Sequence, residues 1–500
     1  MGIIQRQSIR SSIIIMLGFG VGAFNLLFLA PKVLTATEFG LTRIITEAAI
    51  TLATLCTFGS LPVVYKFFPF YKSYLPPKKN DLPFVTLLIC IAGFIVMCII
   101  GFSARDIIVR KFSSRSPLFV EYHYLVYPFA LFFLLFIWAE SFAWSFKKGV
   151  MSNTLREILP RILFFVLLVC MGASLITQEL LYILFSLSYL LPFIILFFLL
   201  RKEKDFVFNS SLSNVTVRLG PRMLNFGLFL FGAQFLNLLS KTADTFILTA
   251  KASRGLTDTA VFTYATYIVT LMEIPQRSIS SISTPVLAES WKNKDIKRIG
   301  NIYTKSVTNL LIIGLVMFGL IIVNIDQLNL FLGKDYAGIK EVVLIMGIGK
   351  LIDLGTGVNS QIIGTSSYWK VDFTTNVIYT LIALPLNYIL ISYFGLMGAA
   401  YSYIISLSFY NLIRFGFLWY QFKLQPYTIK DLVVVFIAVP CTVITYFIPS
   451  VGNLLIDTIL KSLAFCILFG PAIYYARISS EVNELIRKYL RTVANFFTGS

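Results

Sequence analysis

Charged side chains inside long apolar stretches are the residues of this sequence best suited to do chemistry. An ionisable group in hydrocarbon costs roughly 2.5 to 3.5 kcal/mol on insertion scales, so it usually faces a cavity or an opposite charge. Several pairs are spaced i,i+3 or i,i+4, which places both members on one helix face. These pairs are Arg43 with Glu47, Lys241 with Asp244, Glu273 with Arg277, and Lys350 with Asp353. They predict a cationic path for an anionic head group, in which the carboxylates steady the cations or exchange protons.

The same pairs also have a purely structural explanation. Each pair neutralises itself, so the sequence does not establish a net-positive cavity. In this alternative the charges only pack helices together, and Arg43 simply lies at the membrane interface. Arg414 and Lys461 lie near the ends of apolar stretches, where we expect their charged ends to reach the membrane surface.

The apolar stretches themselves predict membrane-spanning helices. The sequence is 57% hydrophobic and 13% charged, whereas soluble domains carry roughly 25% charged residues. Runs of about 18 to 25 apolar residues can cross roughly 30 Å of hydrocarbon, and they predict an all-α polytopic membrane protein with about fourteen spans. Numbered in chain order, the predicted spans are 12–34, 41–63, 83–102, 123–145, 159–176, 180–200, 223–248, 260–288, 306–326, 341–364, 373–394, 396–419, 431–449 and 457–476.

The distribution of Lys and Arg predicts how these spans are oriented. Most basic residues fall in loops on the side of the N-terminus, which marks that side as cytoplasmic and places both termini there. The outer loop 103–122, with four basic residues, is the exception. The net charge of +18 therefore reflects topology, and we expect no nucleic-acid partner. The tail 477–500 has apolar residues at helical spacing beside basic ones, which predicts an amphipathic helix on the inner membrane face. A solvated helix is the alternative.

Enzyme chemistry has little material in this chain. All six cysteines lie inside apolar runs, where cysteine behaves as a small hydrophobe, so no disulfide or cysteine metal site is predicted. His123 is the one histidine, which excludes a Ser/His/Asp set and a histidine-rich metal cluster. We expect a protein that is not an enzyme and holds no cofactor or metal.

An internal repeat predicts two halves. Residues 19–27 and 231–239 share Phe, Gly, Asn, Leu and Leu at a constant offset, which aligns Asn25 with Asn237. Both segments start on the same side, so the halves would be parallel repeats with a substrate site between them. Chance similarity of apolar segments is the alternative. The predicted parts are an N-terminal lobe at 1–200, a cytoplasmic linker at 201–222, a C-terminal lobe at 223–419, spans 13 and 14 at 420–476, and the tail at 477–500.

Helix-breaking residues accompany two of the charge pairs. Pro275 lies between Glu273 and Arg277, and a proline frees a carbonyl and bends a helix, which predicts a bent gate or cavity wall. Glycines at 347, 349, 355 and 357 surround Lys350 and Asp353. Small residues let helices approach closely, so close packing explains these glycines equally well.

Three short stretches carry a family signature. The first runs from Gly18-Phe19-Gly20 to Glu38-Phe39-Gly40-Leu41, and the second is Leu332-Gly333-Lys334-Asp335-Tyr336. The third is Leu386-Asn387-Tyr388-Ile389-Leu390 followed by Phe394-Gly395-Leu396-Met397-Gly398-Ala399-Ala400. Together they resemble the polysaccharide and lipid-linked oligosaccharide flippases, of O-antigen type, in the multidrug/oligosaccharidyl-lipid/polysaccharide (MOP) exporter superfamily.

This resemblance implies both a fold and a function. The fold would be MATE-like, with two six-helix lobes related by a pseudo-two-fold axis, two further C-terminal helices, and spans 1, 2, 7 and 8 around a cavity. Alternating access would flip an undecaprenyl-pyrophosphate-linked oligosaccharide across the bacterial inner membrane for O-antigen, capsule or exopolysaccharide synthesis, alongside polysaccharide-assembly proteins. Lys241 and Arg277 fall on spans expected to receive the pyrophosphate, whereas span 1 offers only Asn25. Whether H⁺ or Na⁺ couples the transport is left open.

Two other functions compete with this interpretation. An ion-coupled multidrug or metabolite exporter of the same fold often uses an acidic residue in span 1 or 7, and here span 7 has Asp244. A membrane glycosyltransferase or polymerase would need catalytic groups in sizeable outer loops. The first outer loop offers only Glu38, which disfavours the enzyme.

Overall fold

The computed structural model describes residues 17–484 and Arg487, but not the side chains of Ala233, Asn237 and Lys241. All regular structure in the described residues is helical. Of the predicted amphipathic tail, a helix begins at Ser480, and the part from 485 onwards, apart from Arg487, lies outside the described residues. The described helices confirm the all-α class.

Contacts divide the chain into two compact units, the first ending at Ala260 and the second beginning at Val261. Helices of the first unit are α1 Leu17–Val33, α2 Ala36–Cys56, α3 Ser60–Tyr74, α4 Leu82–Ser103, α5 Arg105–Phe112, α6 Pro117–Tyr122, α7 Val126–Ser145, α8 Gly149–Glu157, α9 Leu159–Gly172, α10 Gln178–Ser186, α11 Leu190–Leu200 and α12 Asn214–Lys251. The division between the units falls inside α13, Leu256–Leu271.

The second unit contains the remaining described helices. They are α14 Glu273–Lys292, α15 Ile296–Val323, α16 Ile325–Leu332, α17 Ile339–Leu354, α18 Asn359–Thr365, α19 Trp369–Phe394, α20 Leu396–Phe422, α21 Ile429–Tyr446 and α22 Leu454–Ala476.

Each predicted span is mostly helical where the chain is described, although several contain a short turn. Ten helices of the described residues, not fourteen, are long and apolar enough to cross a bilayer unaided. The missing four are predicted spans 1, 5, 8 and 10. Helix α1 is described only from Leu17, α9 has 14 residues and α17 has 16. Span 8 is divided at Met272, between α13 and α14. Short interruptions of the helices therefore account for much of the difference between ten and fourteen spans.

Many apolar side chains point away from the protein. Ile459, Leu463 and Ile467 follow one another along one face of α22, each more than half exposed. Water would penalise an apolar face of this kind, and the hydrocarbon of a bilayer would not. The exposed face thus agrees with the composition in placing these helices in a membrane.

Helix α12, which the sequence assigns to the second lobe, groups with the first unit. A Cβ on Gly59 at the start of α3 would lie 2.0 Å from the carbonyl oxygen of Gly227, so the two backbones are in direct contact. At the other end of α3, the hydroxyls of Tyr71 and Thr216 are 2.6 Å apart. The lobe boundary at 201–222 stays a prediction.

The two segments of the predicted internal repeat differ in backbone conformation. Asn25–Leu29 in α1 form a turn of π-helix, whereas the matching residues of α12 are regular α-helix. A π-turn usually marks an inserted residue or a local functional constraint. The common origin of the two segments stays a prediction.

The hairpin of α19 and α20 explains the third signature stretch. Gly395 joins the helices at φ +55° and ψ −130°, a conformation that favours glycine. A Cβ on Gly398 would lie 2.0 Å from the carbonyl oxygen of Leu390. The spacing of these two glycines is therefore required by a tight turn and by close contact between the helices.

We expect Gly398→Ala to lower the thermal unfolding midpoint and the yield of monodisperse protein, because the added methyl meets rigid backbone. Gly395→Ala should cost about 1 to 3 kcal/mol through backbone strain. Gly416→Ala is the matched control, since Gly416 lies on α20 and its Cβ would have no neighbour within 4 Å. Equal unfolding midpoints for Gly398→Ala and Gly416→Ala would contradict the packing argument.

Candidate functional site: a charged network in the second unit

Lys350 lies at the centre of the network. The residue is on α17 and is 4% exposed. Its Nζ donates to Asp353 Oδ2 at 2.7 Å and to Glu273 Oε1 of α14 at 3.0 Å. The ammonium is therefore neutralised by carboxylates from two helices. Two of the pairs found in the sequence thus form one cluster.

Amide side chains hold Asp353 in place. Asn411 of α20 donates its Nδ2 to Asp353 Oδ1 at 2.9 Å, and Gln276 of α14 donates its Nε2 to Oδ2 at 3.2 Å. The Oδ1 of Asn411 in turn accepts from Thr356 at 2.9 Å and from Asn359 at 3.1 Å. Both oxygens of the carboxylate are satisfied, which lowers the cost of burying it.

Arg277 forms the exposed rim of the network. Its Nη2 donates to Glu273 Oε2 at 3.0 Å, while 61% of its side chain is exposed. Glu273 therefore shares one oxygen with Lys350 and the other with Arg277. The four charges sum to zero, but they are arranged with a buried cation inside and an accessible guanidinium outside. The planar guanidinium in that position can donate two parallel hydrogen bonds to oxygens of a phosphate.

Helix breaks place these side chains. Span 8 breaks at Met272, three residues before Pro275, whose ring displaces the carbonyl of residue 271 and removes one backbone donor. Glu273 is consequently the first residue of α14. The side chain of Met272 is buried with Leu310 and Leu354, which anchors the break in an apolar cluster.

The glycines around Lys350 serve close packing. A Cβ on Gly347 would lie 2.3 Å from the ring of Phe318, and one on Gly349 would lie 3.2 Å from Cα of Ile404. Gly357 has φ +63° where the chain leaves α17 for α18. Gly347 and Gly349 let α17 pack closely against α15 and α20, which agrees with the packing interpretation of these two glycines.

The other site candidates lie in the first unit. Asn25 is buried and donates its Nδ2 to the carbonyl oxygen of Arg161 at 2.7 Å, which joins α1 to α9. Arg43 donates to the hydroxyl of Thr42 at 3.3 Å, and its guanidinium lies 4.9 Å from the ring centroid of Phe39. Glu47 and Asp244 are half-buried. The side chains of Asn237 and Lys241 lie outside the described part of the chain.

The expectation that Arg414 and Lys461 reach the membrane surface is wrong. Arg414 is 4% exposed; it donates to the Asp372 carboxylate and to Thr375, and lies 3.9 Å from the ring centroid of Tyr410. Lys461 is also buried and donates to the carbonyl oxygen of Tyr446 at 3.3 Å. Asp372 on the neighbouring helix compensates the charge of Arg414, whereas Lys461 contacts the carbonyl oxygen and the ring of Tyr446.

Two ion-pair partners escaped the sequence interpretation because they are distant along the chain. Glu140 of α7 is buried and pairs with Arg156 of α8 at 2.8 Å. Asp372 pairs with Arg414 across the α19–α20 hairpin. A search restricted to i,i+3 and i,i+4 spacing cannot find such pairs. Asn411, which donates to Asp353, could have been found from the sequence, because it is a polar residue inside a predicted span.

Comparisons with known proteins show similarity to this chain in sequence and in fold. Residues 230–389 match the MatE family model. The structure of the lipid II flippase MurJ in an inward closed conformation is similar at 16% identity and a TM-score of 0.70, over 94% of this chain and 100% of that one. An inward-facing multidrug resistance MATE family transporter of the MOP superfamily is 15% identical with a TM-score of 0.63, over 83% and 98% of the two chains. The chain has the fold of the MOP-superfamily transporters.

A further solved structure shows a weaker match to the same fold. The MATE transporter VcmN of Vibrio cholerae has a TM-score of 0.54 at 11% identity, over 83% of this chain and 97% of its own. No curated protein sequence matches the chain. The resemblance stated from the sequence is thus confirmed for the MOP transporter fold, and the polysaccharide flippase branch stays a prediction.

Stability measurements should separate the buried cation from the exposed one. We expect Lys350→Ala to destabilise the protein by about 3 to 5 kcal/mol, because it leaves the mostly buried carboxylate of Asp353 without a cation. Arg277→Ala should cost no more than about 1 kcal/mol, since its ion pair is largely solvated. Thermal unfolding in detergent gives both values.

The double variant Lys350→Ala/Asp353→Ala serves as the control. It removes one cation and one carboxylate together, so it should be more stable than Lys350→Ala alone. A double variant that is less stable than the single one would show that lost packing, and not unpaired charge, explains the effect.

Proposed function

We propose that this protein flips an undecaprenyl-pyrophosphate-linked oligosaccharide from the cytoplasmic to the outer leaflet of the bacterial inner membrane. The proposed mechanism is alternating access between two lobes, with both termini in the cytoplasm. The observation that carries the proposal is the shared carboxylate of Glu273, which joins a buried Lys350 to an exposed Arg277. The likeness to a lipid II flippase over nearly the whole chain supports it.

The shared carboxylate suits reversible binding of a pyrophosphate. An incoming anion can take Arg277 away from Glu273 while Glu273 keeps its second bond to Lys350. The partly buried carboxylate of Glu273 is then never left without a cation. Arg277 can thus bind and release an anionic head group at little cost to the fold, as a flippase requires at each turnover.

The residues of the network have different roles in this proposal. Arg277 touches the phosphate, and Lys350, Asp353 and Asn411 position the carboxylate that releases it.

Transport by reconstituted protein tests the proposal. We expect Arg277→Ala to lower flipping of a labelled undecaprenyl-pyrophosphate oligosaccharide at least about tenfold, because a charge-assisted bond to phosphate is worth roughly 1.5 to 3 kcal/mol. Lys350→Ala should also lower transport while the protein still inserts. The readout is loss of label from one leaflet of proteoliposomes.

The matched control is Arg298→Ala. Arg298 is also an exposed arginine of the second unit and pairs with Glu289 at 3.5 Å, outside the network. It should transport at the wild-type rate, and Arg277→Lys should retain part of the activity. Wild-type rates in both Arg277→Ala and Lys350→Ala would contradict the cationic path.

An ion-coupled multidrug or metabolite exporter is the second candidate function. The match of residues 230–389 to the MatE family model and the likeness to MATE transporters favour it. Efflux of small organic cations driven by H⁺ or Na⁺, and abolished by Asp244→Asn, would support this candidate against the flippase. Sugar-chain extension by the purified protein would instead indicate a glycosyltransferase or polymerase.

A further inference from the structure

A polar cavity lies in the second unit, away from the network. It has a volume of about 1040 Å³ and is formed by α15, the start of α21, the end of α22 and the residues that follow α22. Lys305, Lys430, Arg477 and Arg487 line it, together with Glu481 and Glu484. The flipping mechanism proposed above uses none of these residues.

The segment after α22 is fixed as one wall of this cavity. Ile478 is buried in the apolar cluster of α15, α21 and α22, and Val482 packs against the same cluster. Ser479 donates its hydroxyl to Asn309 Oδ1 at 2.6 Å, and Asn483 donates to the carbonyl oxygen of Tyr474 at 3.1 Å. Arg477, which directly precedes Ile478, is therefore held in place on this wall of the cavity.

One basic residue of the cavity is already neutralised. Lys305 Nζ lies 2.5 Å from Glu481 Oε1. The hydrogen bond from Lys305 lowers the pKa of Glu481 to about 2, so the pair is intact at neutral pH. Lys430, Arg477 and Arg487 are exposed and have no ion-pair partner among the described residues. Three cations therefore face the cavity with only Glu484 to oppose them.

The cavity also lies at the level of a membrane surface. Lys430 is in the first turn of α21, and Arg477 directly follows α22, both of which are long and apolar enough to span a bilayer. Tyr475, which lines the cavity, is 80% exposed, and tyrosine is enriched at the membrane–water interface. Basic pockets between spans at this level are suited to phosphate-bearing lipid head groups.

We propose that this cavity binds the phosphodiester head group of an anionic phospholipid. Lys430 and Arg477, one at each side of the cavity, donate to the phosphate, and the acyl chains lie along the exposed apolar faces of α21 and α22. The bound lipid would hold the C-terminal segment against the membrane surface. This site is separate from the path proposed for transport, and it would stand if that path were wrong.

Native mass spectrometry of the full-length protein in detergent tests the proposal. The probes are phosphatidylglycerol and phosphatidylcholine with the same acyl chains. We expect the wild-type protein to retain phosphatidylglycerol preferentially, and Lys430→Gln/Arg477→Gln to retain it at least about tenfold less, since each basic residue near the surface contributes about 1 kcal/mol. Lys202→Gln/Lys204→Gln makes the same charge change on an exposed loop of the first unit and should retain the lipid like the wild type.

A variant that should retain more lipid distinguishes loss of the binding site from loss of structure. Glu484→Gln removes the opposing charge and should increase retention of phosphatidylglycerol, which loss of structure cannot do. Equal retention of both lipids by the wild type, or unchanged retention in Lys430→Gln/Arg477→Gln, would overturn the proposal. Displacement of the lipid by millimolar inorganic phosphate would also overturn it, because the ligand would then be a soluble phosphate.

Discussion

A charge buried among apolar helices has to be neutralised where it stands, and in this protein that constraint acts through Lys350. Its ammonium is held by carboxylates from α14 and from α17 itself. Asn411 brings α20 to the same point through Asp353. The contact between these three helices is therefore specific in a way that apolar packing alone is not, because a shifted register would leave a buried charge unpaired.

The helix breaks exist for the same reason. The interruption of span 8 at Met272 lets α14 begin at Glu273, whose carboxylate accepts from Lys350. The glycines of α17 then bring its backbone close to α15 and α20. Helix α17 has only 16 residues, and α14 is rich in charged and hydroxyl side chains, so neither qualifies as a span on length and composition.

Much of this was accessible from the sequence, and the reasons are local. Hydrophobic runs predicted the helices, and i,i+3 or i,i+4 spacing found both pairs of the network, because a helix converts short separations into contacts. The joining of those pairs through Glu273 and Lys350 links residues on different helices, which no local pattern contains. The prediction for Arg414 failed for the same reason. Its position near a span end predicted exposure, but its partner Asp372 lies in another helix.

The tight hairpin of α19 and α20 also bears on how the chain enters a membrane during synthesis. Its short turn at Gly395 keeps the two helices antiparallel, and their far ends carry Asp372 and Arg414 in contact. If the helices enter the bilayer together, these charges arrive already neutralised. If they were inserted one after the other, α20 would bring Arg414 into the bilayer before its partner could neutralise it, at a cost of up to roughly 2.5 to 3.5 kcal/mol. The short turn therefore favours insertion of the two helices as one hairpin.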